Sequence, residues 1–157
     1  MLKNARFLIG NFIDAGCHGR IYELTDFKYP DQNLAIKVCT DKKDLFINER
    51  ILMAKMQEII AYGKLPNNGK LYIIIPRFGQ NLWEYFSSTG FQMSKFSVLA
   101  IGRAILDAFE RIHSFGYTFN DLKGDNILVG YDQKIGEDIT QNVFKNTSLH
   151  LVDYGFA

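Results

Sequence analysis

The chain has 157 residues, a net charge of +1, and 47% hydrophobic and 14% aromatic residues, enough to pack one compact domain or two small lobes and too apolar for a disordered chain. Charges of both signs are interspersed and no apolar run approaches the ~20 residues of a membrane span, so neither a dedicated nucleic-acid binder nor a membrane protein is indicated. Cys17 and Cys39 form no C-x-x-C pair, so neither a zinc site nor a disulfide framework is indicated.

The N-terminus does not read as a signal peptide, because Gly10, Asn11 and Asp14 interrupt the apolar residues that follow it. A soluble cytoplasmic or nuclear setting is therefore expected. There is no internal repeat and no low-complexity segment. Residues 7–13 and 20–25 read as two strands around a glycine turn over 15–19. Gly16 and Gly19 would let a backbone approach phosphate, although most such two-glycine turns are simple hairpins. His18 is expected to be an exposed loop residue, and Cys17 either a reactive loop thiol or a tolerated one. A polar connection over 26–32 contains Pro30. In the apolar strand 34–38, Lys37 is anomalous: an ammonium is costly to bury unpaired, so it either faces water at a sheet edge or has an acidic partner.

Residues 44–57 read as a helix capped by Asp44, with Leu45, Ile51, Leu52 and Met56 at helical spacing and Phe46 and Ile47 widening the stripe. Glu49 lies near that stripe and is either the partner of Lys37 or, with Arg50, part of a solvated face. Residues 59–65 and 71–75 read as a hairpin turned by Pro66-Asn-Asn-Gly69. Pro76-Arg-Phe-Gly79 ends its second strand, and 81–86 suggests a short helix. Residues 94–114 form the clearest helix: Ser94 caps it, Val98, Ile101, Ile105, Phe109 and Ile112 make its apolar stripe, and Gly116 ends it.

Next comes the stretch with the densest chemistry, 117–129. It sets Asp121, Lys123 and Asn126 two and three residues apart on a short loop ahead of an apolar strand. An acid, an amine and an amide this close can share one reaction centre. A polar excursion over 130–148 follows, with a chance-level glycosylation sequon at Asn146. A strand over 149–152 then leads into Asp153-Tyr-Gly, where a carboxylate beside a flexible glycine suits a hard cation.

The pattern Asp121-x-Lys123-x-x-Asn126 resembles the catalytic loop H-R-D-L-x-x-x-N of the protein-kinase superfamily. Other parts follow in kinase order: Gly16, Gly19 and Ile21 on a glycine loop, Lys37 in a V-A-I-K-like strand, Glu49 on the next helix, a hinge after gatekeeper Ile75, and Asp153 in place of the Asp of D-F-G. Phe7-Leu-Ile-Gly10, Leu45-Phe-x-x-Glu49, Pro76-Arg-Phe-Gly79 and Leu151-Val-Asp-Tyr-Gly155 are similar to the vaccinia-related branch of the casein-kinase-one group.

The resemblance implies an α+β, bilobal fold: an antiparallel five-stranded N-lobe sheet with one helix over residues 1–76, and a hinge and incomplete helical C-lobe over 77–157 with an insertion at 130–148. It implies an ATP- and Mg²⁺-dependent serine/threonine protein kinase. Asp121 would be the catalytic base and Lys123 would stabilise the γ-phosphoryl. Ile13, Gly16, Gly19, Ile21, Ala35, Lys37, Glu49, Ile75, Phe78 and Leu128 would serve the nucleotide, with Ala35 and Leu128 sandwiching adenine and the backbone near Arg77 and Phe78 facing it. Asn126 and Asp153 would hold Mg²⁺. The partners implied are a protein substrate and a protein covering an apolar face of the helix from Ser94, since the chain stops at Ala157, ahead of the family's activation segment.

There are departures. Asp14 replaces the first glycine of the loop. Phe119 and Asn120 replace the His and Arg of H-R-D; Phe119 can keep a packing role, whereas Asn120 cannot capture an activation-loop phosphate. A kinase-like module that acts by nucleotide or protein binding is the alternative.

Overall fold

The computed structural model describes residues 6–16, 18–40, 42–130 and 149–157. The expected insertion at 130–148, beyond Gly130, lies outside them, as do the Asn146 sequon and Cys17. The chain divides into two compact units, one running up to Arg77 and including Phe156, the other Phe78–Gly155 with Ala157.

In the first unit β1 (Phe7–Gly16), β2 (Gly19–Asp26), β3 (Leu34–Cys39), β4 (Ala61–Lys64) and β5 (Leu71–Pro76) form an antiparallel sheet in the order β1-β2-β3-β5-β4. The strand carrying Lys37 is thus the centre of the sheet and not an edge facing water. Its mainly apolar run is hydrogen-bonded on both sides and nearly all buried. Leu24, Leu34, Ile36 and Ile74 make the core of one sheet face. Gly69, at φ 69°, supplies the left-handed residue that the turn between β4 and β5 requires.

Helix α1 (Lys43–Lys55) follows β3, and here the sequence expectation needs correcting. Asp44 does not cap the helix: the cap position is Lys42, without a side-chain bond, and Asp44 sits in the first turn where its charge meets the positive end of the helix dipole. The buried face is Phe46, Glu49, Leu52 and Met53, while Ile51 is 37% exposed. The apolar residues of this helix are too widely spread to share one stripe, and the face chosen is the one that contains Glu49. His18 is also not exposed. It is fully buried, packed edge-on at 5.3 Å from Phe156, the residue of the C-terminal segment that clusters with this unit.

The second unit holds β6 (Phe78–Asn81), α2 (Leu82–Ser88), α3 (Lys95–Ser114), β7 (Ile127–Gly130) and β8 (Leu149–Leu151). β6 was not expected; Phe-Gly-Gln-Asn has no alternating pattern, and it becomes a strand by pairing with β7. α2 opens with a capping box. The Asn81 side chain accepts from Glu84 N at 2.8 Å, and the Glu84 carboxylate accepts from Asn81 N at 3.2 Å. In α3 the Ser94 hydroxyl accepts from Ser97 N at 3.1 Å. At its end Gly116 N donates to His113 O and Tyr117 N to Ile112 O, a Schellman arrangement with Gly116 at φ 80°. Tyr85, Ile101 and Val129 form the core between helices and sheet. Val98 is not part of the buried stripe. It is 54% exposed and lies with Phe96, Leu99 and Leu106 among the outward apolar residues of α3. No helix among the described residues is long and apolar enough to cross a membrane.

Candidate functional site

In the first unit, residues opposite one another in neighbouring strands share a sheet face. Ile21 is paired with Lys37, and Ala35 with Ile75. Since Ala35 and Lys37 are two apart on β3, the register sets Ile21, Ala35, Lys37 and Ile75 on one face, opposite the cluster around Ile36. Gly16 pairs with Gly19 where β1 turns into β2, and Ile13 lies on β1, 39% exposed. A Cβ on Gly19 would come within 2.8 Å of the Val38 carbonyl oxygen and 3.1 Å of the Lys37 side chain, so the sheet closes only over a glycine there. The Asp14 carboxylate accepts a hydrogen bond from Ala15 N at 2.7 Å. A backbone donor of the glycine turn is thereby engaged by the chain itself.

Lys37 Nζ donates to both Glu49 oxygens, at 2.6 and 2.7 Å, with the Lys37 and Glu49 side chains only 5% and 3% exposed. Of the alternatives for Lys37 and Glu49, the structure takes the paired one. A buried pair of this kind fixes both side chains, because two opposite charges in low dielectric attract strongly and hold one geometry.

In the second unit, the end of α3 delivers the chain to the loop that carries Asp121. Asn126 Nδ2 donates to the main-chain oxygen of Asp121 and to its Oδ2, both at 2.9 Å. Lys123 Nζ donates to the same Oδ2 at 2.8 Å. The three residues that stand close in sequence therefore make one hydrogen-bonded cluster, in which Asn126 is buried, Asp121 half-buried and Lys123 exposed. A single 3-10 turn over Gly124–Asn126 holds the loop against α2, where a Cβ on Gly124 would meet Trp83 at 3.1 Å. Val152 N donates to Asn126 O at 3.0 Å, which ties the end of β8 to this turn.

Asp153 follows in a left-handed conformation, φ 68° and ψ 56°, one that few non-glycine residues adopt and that recurs at functional sites. Tyr154 next to it is buried, and its ring meets Phe119 edge-on at 5.6 Å, with Phe109 behind Phe119 at 6.1 Å. Phe119 thus packs where the kinase pattern has His.

Leu128 on β7 stands opposite His150 on β8, and the Phe78 ring lies over the His150 imidazole at 4.2 Å with 23° between planes. The sequence reading gave His150 no role; alternation in Leu149-His-Leu151 was the one available signal. Burial, helped by the Arg111 charge, lowers the His150 pKa from its ordinary 6.5, so this ring is neutral at pH 7.

The donor set at Asn126 and Asp153, an amide and a carboxylate, suits a hard cation such as Mg²⁺. With its Nδ2 turned to Asp121, Asn126 keeps its amide oxygen for such an ion. The chemistry open to the second unit is to present an oriented carboxylate, that of Asp121, to a hydroxyl beside an exposed ammonium, that of Lys123.

No family model matches the chain. It is 32% identical over 104 residues to nucleosomal histone kinase 1 of Drosophila melanogaster, over 65% of this chain and 16% of that protein. It is 30% identical over 90 residues to a casein kinase 1-like protein of Oryza sativa subsp. japonica, over 57% of this chain and 12% of that one. It is 27% identical over 177 residues to the serine/threonine-protein kinase VRK1 of Caenorhabditis briggsae, over 99% of this chain and 30% of that one. The chain thus spans less than a third of the length of each of these relatives. A five-stranded antiparallel sheet with one helix, followed by a mainly helical unit, is the α+β arrangement of a kinase N-lobe with part of a C-lobe. Fold and relatives agree: the chain is a relative of the protein kinases, similar to those of the casein-kinase-one and vaccinia-related group.

Proposed function

We propose that the chain is the nucleotide-binding and catalytic part of an ATP- and Mg²⁺-dependent serine/threonine protein kinase, transferring the γ-phosphoryl of ATP to a protein hydroxyl. The observation that carries this reading is the Asp121 carboxylate, held by Lys123 and Asn126 at 2.8 and 2.9 Å. In that role Asp121 accepts the proton of the attacking hydroxyl while Lys123 stabilises charge on the transferring group. Lys37, fixed by Glu49, serves the α- and β-phosphates. Ile13, Gly16, Gly19, Ile21, Ala35, Ile75, Phe78 and Leu128 serve the rest of the nucleotide. Mg²⁺ at Asn126 and Asp153 would supply neutralisation of charge on the β- and γ-oxygens.

The substrate is a protein, and the exposed apolar residues Phe96, Leu99 and Leu106 of α3 suit cover by a protein partner. Of the two compartments considered, cytoplasm and nucleus, the name of the fruit-fly relative favours the nucleus. The test is phosphoryl transfer from Mg·ATP to the chain itself and to generic acidic and basic protein substrates, for the parent and Asp121→Asn side by side. Transfer that disappears in the variant supports the reading; no transfer from a folded parent counts against it.

Asp14 favours a second reading, a binding module. Its carboxylate takes a backbone N–H of the glycine turn and places negative charge near where phosphates would lie. A folded chain that binds ATP but transfers nothing would decide for that reading.

A further inference from the structure

Resting on the nucleotide site proposed above, we infer that His18 is an inhibitory plug of that site. With the glycine turn folded inward, its imidazole takes the space between the turn and Lys37 that the phosphates of a nucleotide need, and Phe156 holds it there.

The first unit carries the argument. His18 stands between Gly16 and Gly19, the two glycines of the turn, and it is fully buried although a polar ring on a turn is ordinarily exposed. One of its ring nitrogens lies within 4.8 Å of a carboxylate oxygen of Glu49. That carboxylate holds Lys37 Nζ at 2.6 and 2.7 Å, so the ring sits beside the ion pair. The turn itself lies directly on Lys37, since a Cβ on Gly19 would come within 3.1 Å of the lysine side chain. Thr40 N donates to His18 O at 3.3 Å and ties the backbone of His18 to the end of β3. The ring also meets Phe156 edge-on, with centroids 5.3 Å apart and 65° between planes.

Phosphate binding at such a turn needs open space under the glycines and backbone N–H groups that point into it. Here the imidazole fills that space. The Ala15 N–H, one donor of the turn, is engaged by the Asp14 carboxylate at 2.7 Å. In both features the chain itself takes what a phosphate would otherwise meet. A nucleotide reaches Lys37 only when the His18 ring leaves, so its apparent affinity is scaled down by the fraction of molecules in which the ring is out. The aromatic contact with Phe156 lowers that fraction.

The experiment measures the dissociation constant of Mg·ATP by calorimetry for the parent, His18→Ala, Phe156→Ala and His18→Phe, the last of which keeps a ring. Both alanine variants are expected to bind about 3- to 10-fold more tightly than the parent, the weight of one aromatic contact. His18→Phe should stay within about 2-fold of the parent. An affinity that is unchanged or weaker in either alanine variant overturns the inference, because a ring that only stabilises the unit would lower the melting temperature without tightening binding. In the unmodified chain, whose folding is not at issue, the nuclear Overhauser cross-peak between the His18 and Phe156 rings should vanish as Mg·ATP saturates the protein. A cross-peak that persists in the complex also overturns it. A folded parent and folded alanine variants that all fail to bind Mg·ATP sink the nucleotide site itself, and the plug with it. Binding by the parent that the alanine variants do not improve sinks only the plug.

Discussion

Lys37 and Glu49, twelve residues apart, meet through both carboxylate oxygens at 2.6 and 2.7 Å with almost no exposure to solvent. Desolvating such a pair costs several kcal/mol per ion, which the mutual attraction must offset, so the pair is retained at an energetic cost rather than as a source of stability. Removing one partner should therefore be worse than removing both. Glu49→Leu is expected to destabilise the chain by about 3–5 kcal/mol. Lys37→Met with Glu49→Leu should recover most of that loss. Urea unfolding of the parent, Lys37→Met, Glu49→Leu and their double variant measures the coupling. A double variant as unstable as Glu49→Leu would contradict this account. If the kinase reading holds, the double variant stays inactive although it is folded.

Gly19 tests the closeness of β2 and β3. A methyl group there would press on the Val38 carbonyl at 2.8 Å, which is backbone and cannot swing aside. Gly19→Ala is expected to cost about 1–3 kcal/mol, read as a lower midpoint in thermal or urea unfolding. Gly102→Ala is the control, since nothing lies within 4 Å of its added methyl and it sits inside α3. That change should raise stability by up to about 1 kcal/mol.

Phe119 is sandwiched between Phe109 and Tyr154. It is half-buried, so Phe119→Ala should cost about 2 kcal/mol, less than the ~3–5 kcal/mol of a fully buried phenylalanine. Because Tyr154 follows Asp153 directly, the loss should also loosen that segment. Faster amide hydrogen exchange over 152–155 than in the parent is the expected signature; unchanged exchange there would show that Asp153 is held by other contacts.

Among the described residues, Asp26 and His150 contribute to the response to acid at different pH. The Arg6 guanidinium donates to Asp26 at 2.6 to 3.0 Å and, with Lys28 N, holds the Asp26 pKa below its ordinary 3.8 against the opposing effect of burial. As pH falls, the unfolded carboxyl takes its proton first, so this stabilisation is full above pH 3.8 and is lost as pH drops through the depressed folded value. For His150 the folded pKa is below 6.5, owing to burial and Arg111. The unfolded imidazole again protonates first, so stability is full above pH 6.5 and declines as pH falls from there towards the folded value. Urea midpoints against pH should show both steps. Asp26→Asn should remove the lower and His150→Phe the upper; a profile unchanged by either variant would contradict the assignment.

Local chemistry was legible in the sequence where it acts over a few residues. Ser94 and Gly116 announced helix ends because a cap is made by neighbours in the chain. Asp121, Lys123 and Asn126 announced a cluster because a loop of six residues cannot carry them far apart. Apolar runs bounded by turn residues announced the strands of the first unit, and the anomalous Lys37 announced either an edge position or an acidic partner.

The tertiary structure alone decided what depends on distant partners. It put β3 at the sheet centre, so Lys37 is buried and Glu49, rather than a wider apolar stripe, sets the inner face of α1. It left Asp44 in the first turn of α1 and buried His18, which composition alone would place outside. It made a strand of Phe78–Asn81, whose residues have no strand pattern of their own, by giving their backbone groups a partner in β7. That same pairing laid Phe78 on His150. Hydrogen bonds between strands and the burial of charges join residues far apart in the chain, and such neighbours exist only once the chain has folded.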